Sequence, residues 1–183
     1  MHSSTNLVSE MPEPMSFDEY TQPQIIDDFI SMYQRLNKDT LHLLSQVYSN
    51  NIVFQDPLHK VEGLANLTNY FANLYENVDS ISFDIQQVNV SQSLSQSQSQ
   101  LQAKSQSQLE AEQKSQASIF WKMTYSHSKL NSGRDIHVEG MSHLIFNDKI
   151  TSHRDYFDLG QMLYEPFPIL GKLIQMVKSK ASS

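Results

Sequence analysis

The sequence contains no cysteine, few glycines and comparatively few basic residues. Its 183 residues include no Cys, 5 Gly, and 13 Lys and Arg against 20 Asp and Glu. Without cysteine the chain has no disulfide framework, no thiol nucleophile and no thiolate-ligated zinc, which is typical of a reducing compartment, so we expect a cytoplasmic protein. A net charge of −7 without a basic cluster predicts no nucleic-acid partner, because phosphates are bound by basic surfaces.

Long apolar runs and several catalytic motifs are missing as well. No stretch approaches the roughly 18 apolar residues of a membrane-spanning helix, and residues 1–15 do not have the pattern of a secretory signal. There is no Gly-rich phosphate loop and no Gly-x-Ser-x-Gly elbow, which leaves nucleotide binding and serine hydrolysis without support. The histidines lack the spacing of metal ligands, and we predict neither a metal nor a cofactor.

The residues that are present predict three regions. Residues 1–22 show no periodicity and predict a flexible N-terminal arm, whereas residues 23–160 carry the apolar pattern of a folded domain. A Ser- and Gln-rich low-complexity insertion at 91–117 interrupts that domain. It has too few apolar side chains to offset an ordering cost of about 1–2 kcal/mol per residue, and it is either without function or an interaction segment.

The last region, 161–183, predicts an amphipathic helix with a basic end. We expect it to dock on its own domain or on a second copy of the chain. We do not expect contact with a membrane surface, since one weakly basic helix binds a bilayer poorly.

The order of helical and strand patterns indicates the fold class. Apolar residues recur at helical spacing within 26–36, 41–48 and 64–74, and then alternate with polar residues in segments between 81 and 157. A short strand, Ile52 to Phe54, ends at Asp56-Pro57. We predict an α+β fold in which a cone-shaped, curved antiparallel sheet packs against three N-terminal helices, with the amphipathic helix at the C-terminus.

Two carboxylate-bearing motifs stand out, Phe54-Gln55-Asp56-Pro57 and His153-Arg154-Asp155-Tyr156-Phe157-Asp158. Residues 23–160 carry these two motifs, Gly63 and a helix containing Tyr70-Phe71. In the order and spacing of these features, the chain resembles the superfamily of nuclear transport factor 2, SnoaL-type polyketide cyclases and ketosteroid isomerases. The resemblance implies a conical half-barrel with an apolar pocket between sheet and helices, and frequent dimers. We therefore expect a small apolar molecule as ligand and a homodimer.

Asp56 is similar to the catalytic Asp-Pro base of ketosteroid isomerases. Their two oxyanion-hole donors correspond here to Met32 and Ser142, which are not the expected donors. SnoaL-type cyclases require only one acid/base aspartate in a mainly apolar cavity, and the chain meets this requirement most easily.

The run from Arg154 to Asp158 resembles the terminal Arg-Asp-Tyr-Phe-Asp run of limonene epoxide hydrolases. The resemblance matches Asp155 to one of their catalytic aspartates. Their catalytic Arg and second Asp correspond here to Trp121 and Met123, so we expect epoxide hydrolysis less than isomerisation or cyclisation.

Alternation along a strand places His153, Asp155 and Phe157 on one face. A carboxyl group among apolar side chains is poorly solvated, which favours its uncharged form and allows proton exchange near neutrality. We predict Asp56 and Asp155 as proton-handling residues, with His153 assisting. The residues predicted to line the ligand pocket are Tyr33, Phe54, Trp121, Met123, Ser142 and Phe157.

The sequence thus predicts a cofactor-free isomerase or cyclase that acts on a small apolar carbonyl compound by aspartate-mediated proton transfer. The alternative is a non-catalytic ligand-binding or dimeric scaffold domain. In that case Asp56 only caps the turn before Pro57, and Asp155 is a buried structural partner of an Arg or His.

Overall fold

The computed structural model describes residues 22–92 and 114–164, together with 176, 177, 179 and 180. The predicted N-terminal arm lies outside the described residues except for its last position. Most of the predicted insertion and most of the predicted C-terminal helix lie outside them too, so the division into three regions stays a prediction.

Within residues 22–92 and 114–164, three helices and six strands follow one another. The helices are α1 (Gln24–Arg35), α2 (Leu44–Val47, entered through the 3₁₀ turn Leu41–Leu43) and α3 (Leu64–Glu76). The strands are β1 (Tyr48–Gln55), β2 (Lys60–Glu62), β3 (Ser80–Gln92), β4 (Ser115–Ser126), β5 (Ile136–Phe146) and β6 (Ile150–Phe157). A 3₁₀ turn at Asn131–Gly133 precedes β5, and a final helical turn, Gly160–Tyr164, follows β6. In the described part of the chain no helix is both long and apolar enough to cross a bilayer.

Helices α1 and α3 each bury one apolar stripe against the sheet. In α1 the buried residues include Ile26, Phe29 and Tyr33, which recur at helical spacing. Helix α3 begins after Gly63, whose φ of +86° is readily adopted only by glycine. The Gly63 N–H donates to the Ile52 carbonyl at 2.8 Å, and this bond ties the start of α3 to β1.

The six strands form one open sheet in the order β2-β1-β6-β5-β4-β3. All neighbouring pairs are antiparallel except β1 and β6, which run parallel. The α+β cone predicted from the sequence is confirmed, including its N-terminal helices. The parallel pair departs from the predicted antiparallel sheet, because β1 returns to the sheet beside the last strand and not beside a neighbour in sequence.

Register shifts bend the sheet around the helices. Irregular pairing occurs between β3 and β4 near Ile85, between β5 and β6 near Ile145, and between β1 and β6. Such irregularities increase local twist and curvature. The concave face and the helices enclose the core, whose fully buried side chains include Ile26, Leu44, Ile52, Leu67, Ile119, Leu144 and Ile150.

Gly140 on β5 makes room for the chain's only tryptophan. It pairs with Trp121 on β4 and with Phe157 on β6. A Cβ atom at Gly140 would lie 2.3 Å from the Trp121 ring, far inside van der Waals contact. The absence of a side chain at position 140 therefore lets the indole lie flat across β5.

We predict that Gly140→Ala lowers the free energy of unfolding by about 2–3 kcal/mol, because the added methyl group displaces the indole from a packed wall. Urea denaturation followed by circular dichroism measures the change. Glu139→Ala is the matched control, since this neighbouring side chain is exposed, and it should change stability by less than about 0.5 kcal/mol. Equal effects of the two substitutions would contradict the prediction.

Candidate functional site

A small cavity lies between the concave face of the sheet and helices α1 and α3. Its volume is about 70 Å³, which is room for about two water molecules. Of the residues predicted for the site, Tyr33, Phe54, Trp121, Met123 and Phe157 line it, and so do the carboxyl groups of Asp56 and Asp155. Ser142 and His153 do not reach the cavity wall but lie fully buried behind it.

The two carboxylate oxygens of Asp155 are bonded unequally. Its Oδ1 accepts a hydrogen bond from Ser142 Oγ at 2.6 Å and contacts His153 Nε2 at 2.8 Å. Its Oδ2 has one long contact, the Tyr33 hydroxyl at 3.4 Å. One oxygen therefore fixes the side chain, while the other keeps acceptor capacity for a molecule in the cavity.

The direction of the bonds around Ser142 follows from the indole. Trp121 Nε1 lies 2.9 Å from Ser142 Oγ, and an indole N–H can only donate. The Ser142 hydroxyl accepts this bond and directs its own hydrogen to Asp155. Trp121, Ser142 and Asp155 thus form a chain of donors that ends on the carboxylate.

His153 occupies a cage of aromatic rings. It is 0% exposed, with Phe29 and Phe54 edge-on at 5.4 and 5.0 Å between ring centroids. Its Nδ1 lies 2.7 Å from the Tyr48 hydroxyl. A neutral imidazole protonated on Nε2 satisfies both contacts, since it accepts from Tyr48 and donates to Asp155. His153 therefore positions Asp155 and has no direct access to the cavity.

Asp56 also lines the cavity, but both of its oxygens have partners. Oδ1 accepts the backbone N–H groups of Leu58 and His59 at 2.7 and 2.6 Å. Oδ2 accepts the hydroxyl of Tyr70. This arrangement matches the turn-capping alternative for Asp56, and its catalytic role stays a prediction.

The remaining polar groups of the cavity are phenols that the sequence analysis did not select. Tyr70 and Tyr75 come from α3, and Tyr125 comes from the end of β4. Burial raises the pKa of Tyr75 and of Tyr70 well above the ordinary phenol value, and the Asp56 hydrogen bond adds to the shift of Tyr70. The i, i+4 spacing of Tyr75 from Phe71 and the alternation of Tyr125 with Met123 were signals that could have found two of them.

The turn after β6 closes one side of the cavity. Met162 lies in the lining, and its carbonyl oxygen accepts the Tyr125 hydroxyl. Burial raises the pKa of Tyr125 to about 12, so this phenol remains a donor near neutral pH. The bond ties the turn Gly160–Tyr164 to the end of β4.

A larger and more polar cleft adjoins the small cavity. Its volume is about 970 Å³, and its lining includes Gln34, Asn37 and Ser80. Tyr75, Val78 and Ile81 line both spaces. Neither Asp56 nor Asp155 lines the larger cleft, so the cavity that contains the buried carboxylates is the better candidate site.

Over residues 22–92 and 114–164, no three His, Asp or Glu side chains come together as metal ligands would. The absence of a metal and of a cofactor stays a prediction. The polar groups at the site are carboxyl, phenol and imidazole side chains, and apolar side chains surround them.

This geometry defines a cone-shaped α+β domain whose concave face holds a buried aspartate. The sequence model of the SnoaL-like domain family matches residues 29–153. The chain therefore belongs to the SnoaL-like domain family. No curated protein matches the chain at a significant level.

Solved structures with the same fold are distant in sequence. A SnoaL-like polyketide cyclase from Jannaschia sp. CCS1 is similar at 11% identity and a TM-score of 0.57, over 80% of this chain and 95% of that one. A ketosteroid isomerase-like protein from Catenulispora acidiphila DSM 44928, in complex with trimethylamine, is similar at 13% identity and a TM-score of 0.55, over 78% and 92%. A nuclear transport factor 2-like protein of unknown function from Burkholderia pseudomallei K96243 is similar at 9% identity and a TM-score of 0.55, over 76% and 92%. Likeness at this identity shows the fold alone.

We predict that Ser142→Ala lowers the free energy of unfolding by about 2 kcal/mol, because the buried indole N–H of Trp121 loses its acceptor. Urea denaturation followed by the fluorescence of Trp121 measures the loss at the site itself. Ser118→Ala on the opposite face of the neighbouring strand is the matched control and should be nearly neutral. A neutral Ser142→Ala would show that the Trp121–Ser142 bond contributes nothing.

We also predict an alkaline limit to stability. Burial, followed by the charge of Asp155, raises the pKa of Tyr33 and Tyr48 well above the ordinary phenol value. As the pH rises, the unfolded state loses these protons first, so the stability is fully present below about pH 10 and falls above it. In an alkaline titration, the phenolate absorbance of Tyr33 and Tyr48 should appear at the same pH at which the near-ultraviolet circular dichroism is lost. Ionisation of all eight tyrosines before any unfolding would contradict this.

Proposed function

We propose that this SnoaL-like protein binds a small apolar carbonyl compound in the cavity and transfers a proton through Asp155 without a cofactor. The observation that carries the proposal is the unequal bonding of the two Asp155 oxygens. Oδ1 is held by Ser142 and His153, Oδ2 has a single long contact, and Asp155 lines the cavity. A fixed carboxylate with one available oxygen suits a general base.

The proposed reaction begins with transfer of a proton from the carbon next to the ligand's carbonyl to Oδ2 of Asp155. The electron pair of the broken C–H bond forms the enolate. If the ligand has a C=C bond next to the carbon that loses its proton, the enolate extends over that bond. Return of the proton from Asp155 to the far carbon then shifts the double bond and completes an isomerisation. Attack of the enolate carbon on a second carbonyl carbon of the same molecule forms a C–C bond and breaks that carbonyl's π bond. The resulting alkoxide takes the proton back from Asp155, which completes a cyclisation. In both reactions His153 and Ser142 hold the carboxylate in position, and the apolar walls exclude water.

The size of the cavity constrains this proposal. About 70 Å³ is well below the roughly 300–1,000 Å³ of common ligand pockets. A ligand therefore has to widen the cavity or extend into the neighbouring cleft. We propose that the turn Gly160–Tyr164 moves, which requires the hydrogen bond from the Tyr125 hydroxyl to the Met162 carbonyl to open.

The second candidate function is a non-catalytic ligand-binding or dimeric scaffold domain. Two observations favour it, the small cavity and the side chains at the two expected oxyanion positions. Met32 is buried and has no donor, and the Ser142 hydroxyl is already directed to Asp155. The homodimer and the cytoplasmic location remain expectations from the sequence, as does the absence of nucleic-acid and membrane partners.

Deuterium exchange into the methyl group of acetophenone tests the proton transfer. In D₂O, followed by proton NMR, we expect the wild-type protein to accelerate the loss of the methyl signal. Asp155→Asn should reduce that acceleration by about 100-fold or more, because the asparagine amide is not a base.

Asp148→Asn is the matched control, since Asp148 is exposed in the turn between β5 and β6, and it should leave the exchange rate unchanged. Thermal unfolding of both variants separates a lost base from a lost fold. No acceleration by the wild-type protein, or equal rates for wild type and Asp155→Asn, would favour the non-catalytic alternative.

A further inference from the structure

The hydroxyl of Tyr75 differs from those of the other tyrosines in the cavity wall. Tyr33, Tyr70 and Tyr125 donate to Asp155, Asp56 and the Met162 carbonyl. Within the described residues no hydrogen bond is formed by the Tyr75 hydroxyl, although the residue is only 8% exposed. A phenol hydroxyl that has no acceptor among these residues is available to donate to a bound molecule.

The Tyr75 oxygen borders open space. Of the side-chain polar atoms in the described segments, the Ser49 hydroxyl is the only one that is both fully enclosed and unpaired. The Tyr75 hydroxyl is unpaired too and hence is not fully enclosed. Tyr75 lines both the small cavity and the larger polar cleft, so this residue lies between the two spaces.

Packing holds the Tyr75 ring in this place. It stacks on Phe71, one helical turn earlier in α3, with 6.2 Å between ring centroids and 25° between planes. Burial raises the pKa of Tyr75 well above the ordinary phenol value, so the hydroxyl keeps its proton near neutral pH. The group is therefore a fixed donor beside the cavity that contains Asp155.

We propose that the Tyr75 hydroxyl binds the ligand by donating a hydrogen bond to its carbonyl oxygen. This inference rests on the proposed function, because it takes the ligand to be a carbonyl compound. It supplies a donor that Met32 and Ser142, at the positions expected from ketosteroid isomerases, do not provide. A phenol at this point stabilises negative charge on the oxygen when a proton leaves the neighbouring carbon.

The two adjoining spaces define the class of ligand. Once the ligand has widened the cavity, its apolar ring or chain packs against the aromatic walls near Asp155, and its carbonyl oxygen accepts the hydrogen bond of Tyr75. A more polar part of the molecule then extends among Gln34, Asn37 and Ser80 in the outer cleft. The ligand is thus an amphipathic carbonyl compound, and a pure hydrocarbon leaves the Tyr75 donor unpaired.

A pair of probes with the same shape isolates this hydrogen bond. Acetophenone carries a carbonyl oxygen, and α-methylstyrene has a CH₂ group in its place. Binding of each probe to the full chain is measured by NMR titration for wild type and Tyr75→Phe. We expect Tyr75→Phe to weaken acetophenone binding about fivefold to tenfold, the size of one net hydrogen bond, and to leave α-methylstyrene binding unchanged.

Two further measurements exclude a structural effect. Tyr75→Phe keeps the ring that stacks on Phe71, so its thermal stability should equal or exceed that of wild type. Tyr156→Phe, on the exposed face of β6, is the matched control and should change the binding of neither probe.

The inference is overturned if wild type binds neither probe or does not distinguish them, or if Tyr75→Phe weakens both equally. A marked loss of stability in Tyr75→Phe also overturns it, because the hydroxyl would then have a partner in the protein. Deuterium exchange is a separate readout. If acetophenone binding depends on Tyr75 but no deuterium exchange occurs, the proposed catalysis is refuted and this inference stands. If exchange occurs but binding does not depend on Tyr75, this inference is refuted and the proposed catalysis stands.

Discussion

The buried carboxyl group of Asp155 is the constraint on which the rest of the site depends. A carboxylate taken out of water is tolerated only if the protein replaces its hydration with donors. Ser142 and His153 do this at Oδ1, and each of them needs a further partner, Trp121 and Tyr48 respectively. One acidic side chain on β6 thereby fixes residues of β4, β5 and β1, and it explains why polar groups occupy the centre of an otherwise apolar core.

The cavity in front of Asp155 is nearly closed, although a ligand has to enter it. Aromatic walls and the turn after β6 leave Asp155 only 8% exposed, and such burial strengthens electrostatic interactions inside the cavity. The same closure leaves a volume of about 70 Å³, so binding a ligand requires the wall to move or the ligand to reach into the outer cleft. Tyr75 lies where these two spaces adjoin, and it has the hydroxyl least committed to the protein. The site is thus built more from phenols than from charges, and phenols with a raised pKa serve as donors over a wide pH range.

Membership of the SnoaL-like family fixes the scaffold and leaves the chemistry to particular side chains. Relatives with the same cone share 9–13% identity with this chain, so few of its site residues can be inferred from theirs. Asp56 shows why a role cannot be inferred from a matching position alone. Its place in an Asp-Pro pair resembles that of a catalytic base, yet its oxygens accept the hydrogen bonds of a turn and of Tyr70. A carboxylate at a matching position keeps a matching role only if its hydrogen bonds leave an oxygen available.

The sequence by itself determined the fold class and most of the strands and helices, because apolar periodicity records which face of each element is buried. It also placed His153 and Asp155 on one face of β6, since alternation along a strand is local. Only the tertiary structure decided that β1 pairs in parallel with β6 and that Ser142 and His153 lie behind Asp155 rather than on the cavity wall. It also decided that the Tyr75 hydroxyl has no hydrogen-bond partner among the described residues. These facts depend on contacts between residues far apart in the chain, such as Tyr48 with His153. The pattern of neighbouring residues in the sequence does not show which donor bonds to which distant acceptor. These hydrogen-bond partners determine the role of each polar group.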